Sequence, residues 1–125
     1  MKIFFSHSSA VDYQTVFYQP IKRSVLFQQH DIILPHDAAD FKDSKPLIQS
    51  ADLVLAEVSY PSTGQGIELG WANCFDKRVI CLHEAVAKPS SALQVITGEC
   101  LEYQGSEGLI TLLDTTVYSI SRSIK

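Results

Sequence analysis

The stretch Asp52–Ala72, DLVLAEVSYPSTGQGIELGWA, sets out a strand, a turn and a helix in that order. Its apolar run from Leu53 to Val58 predicts a buried strand, which ends before Pro61. Glycines follow, and apolar residues then predict a helix from about residue 65 to residue 75. Many α/β proteins build ligand sites from these three parts. We therefore predict a ligand site within this stretch.

Shorter apolar runs elsewhere predict four more strands, at residues 2–6, 31–35, 78–83 and 101–103. Helical spacing is found over residues 10–29, where we expect a kink or restart at Pro20, and over residues 46–51, 90–96 and 109–121. Strands that alternate with helices predict a parallel sheet covered on both faces. The expected fold is α/β, a three-layer sandwich with a five-stranded parallel sheet of the Rossmann-like or flavodoxin-like type. At 125 residues, the chain is expected to form a single domain, 1–125.

Composition excludes several classes of partner. The net charge is −4 and no run of Lys or Arg occurs, so we expect binding neither to nucleic acid nor to an anionic membrane. The three cysteines and four histidines lack metal-ligand spacing, so neither a metal nor a cofactor is expected. Reduced, buried thiols and the lack of any apolar segment near the length of a membrane span suggest a cytoplasmic protein.

Glu68 is the candidate reactive group of the opening stretch. It follows Gly66 by two residues and is expected in the first turn of its helix, where the helix dipole favours the ionised carboxylate. Such a carboxylate acts as a nucleophile or stabilises a cationic centre. Gly64 and Gly66 let a substrate approach the backbone, and Ser62 with the free N–H groups suits a phosphate. The alternative is that Glu68 only complements the helix dipole.

The motif Pro61-Ser62-x-Gly64-x-Gly66-x-Glu68-Leu-Gly70, directly after its strand, resembles that of the 2'-deoxynucleoside 5'-phosphate N-hydrolases. These belong to the nucleoside 2-deoxyribosyltransferase superfamily, and weaker similarity covers nearly the whole chain. In that family the glutamate of the motif attacks the anomeric carbon and displaces the base. A glycosyl-enzyme ester forms, and water or a second base then takes the sugar.

By this resemblance Glu68 is the nucleophile and Ser62 a phosphate ligand. Ser8, after the first strand, corresponds to a second phosphate-binding serine. Ser91, or Ser90, corresponds to a serine that a neighbouring subunit contributes, which implies a homodimer. The implied substrate is a small nucleotide or nucleoside, and the adjacent carboxylate suits an oxocarbenium-like transition state.

The chain departs from the family pattern at several positions. A tyrosine near the sugar is replaced by Phe4, and an arginine- and glycine-containing turn by His7-Ser8-Ser9-Ala10. His7 itself either contacts the substrate or is a plain turn residue. The family's second carboxylate falls on Ser44, so Asp43, one residue away, is the candidate for that role.

Three other interpretations compete. The opening Phe4-Phe5-Ser6-His7-Ser8-Ser9 resembles that of TIR domains, some of which cleave the N-glycosidic bond of NAD. This reading also places the reactive glutamate at Glu68. A transferase that moves deoxyribose between bases remains open, as does a non-catalytic nucleotide-binding module, since fold alone does not establish activity. Glu57 is expected either to orient the sugar or Glu68, or to be a buried structural acid.

Overall fold

A computed structural model describes residues 1–37 and 43–123 of the chain. These residues contain a single five-stranded sheet whose strands are β1 (Lys2–His7), β2 (Asp31–Ile33), β3 (Leu53–Glu57), β4 (Val79–Glu84) and β5 (Cys100–Tyr103). The strands are ordered β2-β1-β3-β4-β5, and every neighbouring pair is parallel. This is the flavodoxin-like order, which confirms the predicted five-stranded parallel sheet.

Helices cover both faces of the sheet. They are α1 (Gln19–Lys22), α2 (Val25–Gln29), α3 (Ser44–Ser50), α4 (Thr63–Cys74) and α5 (Gly105–Ser123), with a π-helical turn at Gln14–Tyr18 and a 3-10 turn at Ser91–Val95. Side chains alternate along each strand, so Phe5 packs with α1, α2 and α5, whereas Phe4 packs with α3 and α4. The predicted three-layer sandwich is confirmed.

The first helical segment agrees in part with its prediction of a kink or restart at Pro20. A new helix, α1, begins at Gln19, next to Pro20. The chain leaves the helical conformation only at Ser24, with φ −84° and ψ 156°. Pro20 lies at the start of α1, directly after the π-helical turn. Proline is well tolerated there because the N–H groups of a first helical turn have no partner within the helix.

Helix α4 begins two residues earlier than predicted. The hydroxyl of Ser62 accepts a hydrogen bond from the backbone N–H of Gln65 at 3.3 Å, so Ser62 is the N-cap and Thr63 the first helical residue. Gly64 and Gly66 therefore belong to the helix and not to a turn before it. Glu68 becomes the sixth residue of α4, beyond its first turn.

The described residues stop at Asp37 and resume at Asp43, just before α3. The Asp43 carboxylate accepts a hydrogen bond from the backbone N–H of Lys45 at 3.0 Å and caps α3. Asp43 is therefore the N-cap of α3, which begins two residues before the predicted start at residue 46. No helix among the described residues is both long and apolar enough to cross a membrane.

Asp76 ends α4 in a conformation that favours glycine. Its φ is +56°, in the left-handed region, two residues after the helix ends. We expect Asp76→Gly to raise the free energy of unfolding by about 0.5–1 kcal/mol, because glycine has no Cβ to strain there. Denaturant unfolding measures the change. Asp76→Ala keeps the Cβ and removes the local polar group, so a stabilising Asp76→Ala would contradict this explanation.

Candidate active site

The candidate site lies between β1 and β3, where the order in which the chain adds strands to the sheet reverses. From β1 the chain runs to β2 on one side and then returns to β3 on the other, and ligands bind α/β sheets at the carboxyl ends of strands at this point. A cavity of about 260 Å³ opens there. It is lined by the end of β1 and the turns after β1 and β2 (His7, Ser9, His36), by the start of α3 (Asp43, Ser44) and by α4 with its cap (Ser62, Gly64, Gln65, Ile67, Glu68, Trp71).

The carboxylate of Glu68 is bound by a side chain of the first strand, β1. The hydroxyl of Ser6, in β1, donates a hydrogen bond to Glu68 Oε1 at 2.9 Å, and only 9% of Glu68 is exposed. Burial raises the pKa of Glu68, while the hydroxyls of Ser44 and Ser6 and the charge of His36 act in the opposite direction. The predicted first-turn position of Glu68 was wrong, because Glu68 is the sixth residue of α4, and burial is the largest influence on its pKa.

His7 is fixed as a neutral ring beside the cavity. Its Nδ1 lies 2.8 Å from the carbonyl oxygen of Ser8, which only accepts, so Nδ1 carries the proton. Its Nε2 lies 2.7 Å from the hydroxyl of Tyr18, which donates to it and accepts from the backbone N–H of His36 at 3.0 Å. Burial lowers the pKa of His7 to about 4, and the nearby His36 adds to this. His7 therefore forms a neutral wall with both nitrogens already paired.

The low pKa of His7 predicts acid sensitivity. Between pH 6.5 and about 4 the unfolded chain protonates this ring and the folded chain does not, so the stability contributed by His7 is present above pH 6.5 and lost as the pH falls. We expect wild type to lose about 3 kcal/mol more than His7→Phe between pH 7.5 and pH 4. Denaturant unfolding at both pH values measures the loss. Equal losses in the two proteins would contradict the assignment.

Three other predicted site residues line the same cavity as Glu68. Asp43 contributes a carboxylate that is exposed, with one oxygen used to cap α3. Ser62 caps α4 at the cavity edge. Gly64 is exposed there, and a Cβ built on it meets nothing within 4 Å. Packing within the chain therefore does not require glycine at this position.

Four predicted residues lie elsewhere. Phe4 is fully buried in the core beneath α3 and α4 and does not line the cavity. The hydroxyl of buried Ser8 accepts a hydrogen bond from the backbone N–H of Ala10 at 3.1 Å, so it is used within its own turn. Gly66 lines a neighbouring, more apolar cavity. Ser91 lines a further cavity beside β4 and β5, away from Glu68.

Glu57 is a buried acid that joins the carboxyl ends of three strands. Its Oε1 accepts from the backbone N–H of Ser59 at 2.9 Å, and its Oε2 accepts from the Ser59 hydroxyl at 2.8 Å and from the hydroxyl of Tyr103. The Ser59 hydroxyl also accepts from the N–H of Glu84 at 2.9 Å. Burial and the neighbouring carboxylate raise the pKa of Tyr103, which stays a neutral donor. Of the two expectations for Glu57, the geometry favours the structural acid.

Sequence reasoning missed two residues that shape the site. Ser6 is the only hydroxyl residue in an otherwise apolar or aromatic run from Ile3 to His7, and this break in the pattern was the available signal. Gln65 is buried, but in the sequence it stands between Gly64 and Gly66, and no periodic pattern there marks it as a buried residue. Among the described residues, no three His, Cys, Asp or Glu side chains are grouped so as to hold a metal ion.

Comparison with known proteins adds two kinds of similarity. A segment of 35 residues is 57% identical to the human 5-hydroxymethyl-dUMP N-hydrolase, covering 28% of this chain and 20% of that protein. A segment of 47 residues is 38% identical to the protein of the same name from Branchiostoma floridae, covering 38% of this chain and 45% of that one. The matches thus span less than half the length of these curated relatives. No family model matches the chain.

Solved structures share the fold over most of the chain. A CMP N-glycosidase from Clostridium botulinum superimposes with a TM-score of 0.63 at 20% identity, covering 91% of this chain and 99% of that one. A 2-deoxyribosyltransferase from Leishmania mexicana gives a TM-score of 0.54 at 16% identity, covering 66% of this chain and 63% of that one.

The two curated relatives share short segments with this chain, and the two solved structures share its fold at only 16–20% identity. These similarities agree with the resemblance to the nucleoside 2-deoxyribosyltransferase superfamily. They also agree with the parallel sheet in flavodoxin-like order and with the strand–helix unit that carries Glu68. The fold comparison therefore supports the architecture, while the site has to be argued from this chain's own residues.

Proposed function

We propose that this protein is an N-glycosidase that cleaves the bond between base and sugar in nucleoside 5'-monophosphates. The observation that carries the proposal is a buried carboxylate, Glu68, held by the Ser6 hydroxyl in a polar cavity at the switch point of the sheet. The names of the relatives, 5-hydroxymethyl-dUMP N-hydrolase and CMP N-glycosidase, support the reaction class.

Glu68 is the proposed nucleophile. Its Oε1 is bound by Ser6, so Oε2 forms the new bond to the anomeric carbon while the bond from that carbon to the base nitrogen breaks. The base leaves with the electron pair and takes a proton. Water then attacks the ester, which releases the sugar 5-phosphate and restores the carboxylate. A carboxylate in a water-poor site stabilises the oxocarbenium-like transition state more strongly than one in water.

Asp43 is the proposed second carboxylate, because it lines the cavity that contains Glu68. It is exposed to solvent, which suits exchange of protons with water during departure of the base or attack by water. The start of α4 is the proposed phosphate site, with Ser62 and the N–H groups of Thr63 and Gly64 as donors.

The remaining predicted residues enter the proposal in more distant roles. Ser8 accepts from the N–H of Ala10 and keeps its own hydroxyl hydrogen as a donor, so it remains the proposed second phosphate ligand. His7 walls the cavity, and Phe4 supports the strand from the core. Gly66 belongs to the neighbouring cavity at the other side of the α4 start.

A homodimer is part of the proposal. Ser91 lies away from Glu68 within one chain, so it reaches a phosphate only in the site of a second copy. A mixture of Glu68→Gln and Ser91→Ala proteins tests this arrangement. Mixed dimers contain one site with both native residues, so activity should rise well above that of either variant alone. Absence of complementation, or sedimentation as a monomer, would contradict shared sites.

A substrate panel tests the reaction. Free base is measured after incubation with nucleoside 5'-monophosphates, nucleosides and NAD. We expect release only from monophosphates. Transfer of the sugar to an added second base would instead support a transferase, which the structural similarity to a 2-deoxyribosyltransferase keeps as the second candidate. Nicotinamide release would support a TIR-like enzyme. Thermal stabilisation by nucleotides without any turnover would favour a binding module.

We also propose that the protein acts in the cytoplasm. Cys74, Cys81 and Cys100 are all free thiols, which suits a reducing compartment. Two of them, Cys74 and Cys100, are exposed, contrary to the expectation that all three are buried. Binding of nucleic acid is not part of the proposed function, given the net charge of −4.

A further inference from the structure

Gln65 lies between two cavities at the start of α4. Its side chain is only 5% exposed, and it lines both the polar cavity of Glu68 and a second cavity of about 310 Å³. The two cavities share Gln65 and Ser62, so they adjoin at the first turn of the helix. The second cavity is mostly apolar, with walls formed by Val58, Pro61, Leu69, Leu93 and Ile96.

The orientation of the Gln65 carboxamide follows from its hydrogen bond. Its Nε2 donates to the backbone carbonyl oxygen of Glu57 at 2.8 Å, and a carbonyl can only accept, so the amide nitrogen is identified. A glutamine three residues after an N-cap serine commonly turns back to the N–H of that serine. Here it is bound to the end of β3 instead, which holds it rigidly beside the cavities.

The carboxamide oxygen of Gln65 is available to a ligand. Within residues 1–37 and 43–123, no donor forms a hydrogen bond to its Oε1. Ser121 Oγ is the only buried side-chain nitrogen or oxygen without a partner among these residues, so Gln65 Oε1 is accessible to solvent and can accept from a ligand that supplies an N–H group. An oxygen that accepts and never donates discriminates against a ligand that presents a carbonyl in the same place.

The two adjoining cavities differ in polarity in the way that the sugar and the base of a nucleotide differ. Carboxylates, hydroxyls and imidazoles around Glu68 suit a sugar with its hydroxyl groups, whereas the aliphatic walls beside Leu69 and Leu93 suit the flat ring of a base. We propose that the apolar cavity holds the base of the substrate and that Gln65 selects bases that carry an exocyclic amino group. This inference rests on the proposed function, because it assumes a nucleotide whose sugar lies at Glu68.

Equilibrium binding tests the inference without depending on turnover. Calorimetry compares two pairs of ligands that differ by amino against oxo, namely CMP with UMP and AMP with IMP, in the Glu68→Gln background. We expect the amino member of each pair to bind at least about tenfold more tightly. With Gln65→Met added, which keeps length and removes the acceptor, the ratio should fall to about one. Asn73→Met, exposed on the same helix, is the matched control and should leave the ratio unchanged.

A second pair of variants tests where the base binds. Leu93→Trp fills the apolar cavity and should weaken binding of all four nucleotides at least about tenfold, whereas Val25→Trp, in a groove between α2 and α5, should not. If thermal unfolding shows that Gln65→Met does not fold, Gln65→Lys keeps a donor for the Glu57 carbonyl and removes the acceptor, so the amino preference should be lost. A retained amino preference in Gln65→Lys would overturn the inference.

The possible failures are distinguishable. If none of the four nucleotides binds or is cleaved, the proposed function and this inference both fall. If nucleotides are bound or cleaved with no preference between amino and oxo members, only the role of Gln65 falls. Equal weakening of both members by Gln65→Met would also overturn it, because that result indicates contact with the sugar and not with the base.

Discussion

Glu68→Gln is expected to abolish base release while leaving nucleotide binding intact. Glutamine keeps the shape of the side chain and an oxygen for the Ser6 hydroxyl, but it cannot form the ester with the anomeric carbon. The expected loss in kcat is at least about 10³-fold, the scale on which removal of a nucleophile acts. Base release measured by chromatography and binding measured by calorimetry separate the two effects.

The control for this variant is Glu107→Gln, an exposed glutamate in the first turn of α5. It should retain wild-type activity. Full activity of Glu68→Gln would rule out the proposed mechanism. In wild type, burial raises the pKa of Glu68, so kcat/KM should fall on the acid side at a pH above the ordinary glutamate range. A profile that stays flat well below that pH would contradict a required Glu68 carboxylate.

Glu57→Ala is expected to produce the largest loss of stability. The substitution leaves the Tyr103 hydroxyl and two Ser59 donors buried without the carboxylate that accepts from all three. Each buried donor left unpaired costs about 1–3 kcal/mol, so the free energy of unfolding should fall by about 3–5 kcal/mol. Denaturant unfolding at pH 7 measures this loss. Tyr103→Phe removes one donor and should cost about 1–2 kcal/mol.

Glu102→Ala is the matched control, since it removes an exposed carboxylate from β5, next to Tyr103. Its cost should stay within about 0.5 kcal/mol. Below its unfolding transition, Glu57→Ala should keep kcat within about tenfold of wild type, unlike Glu68→Gln, because Glu57 does not line the cavity that contains Glu68. A loss of activity as large as that of Glu68→Gln would instead place Glu57 in the reaction.

Much of the architecture could be predicted from local patterns. The apolar runs around Phe4, Leu55 and Ile80 identify buried strands because both faces of a parallel sheet are covered. The N-cap of α3, Asp43, is of a residue type that favours this position, since its short polar side chain bonds a free N–H of the first turn. The start of α4 was placed two residues late, because glycines at positions 64 and 66 resemble a turn although Ser62 already caps the helix.

The sequence by itself determined the fold class, because that depends on periodicity, and a contiguous motif made Glu68 the candidate acid of the site. Only the tertiary structure decided how that acid behaves. Ser6 and Glu68 are 62 residues apart, and Glu57 and Tyr103 are 46 residues apart. These contacts, and the burial that raises the pKa of Glu68, form only when strands and helices pack together. A local sequence pattern therefore cannot predict them.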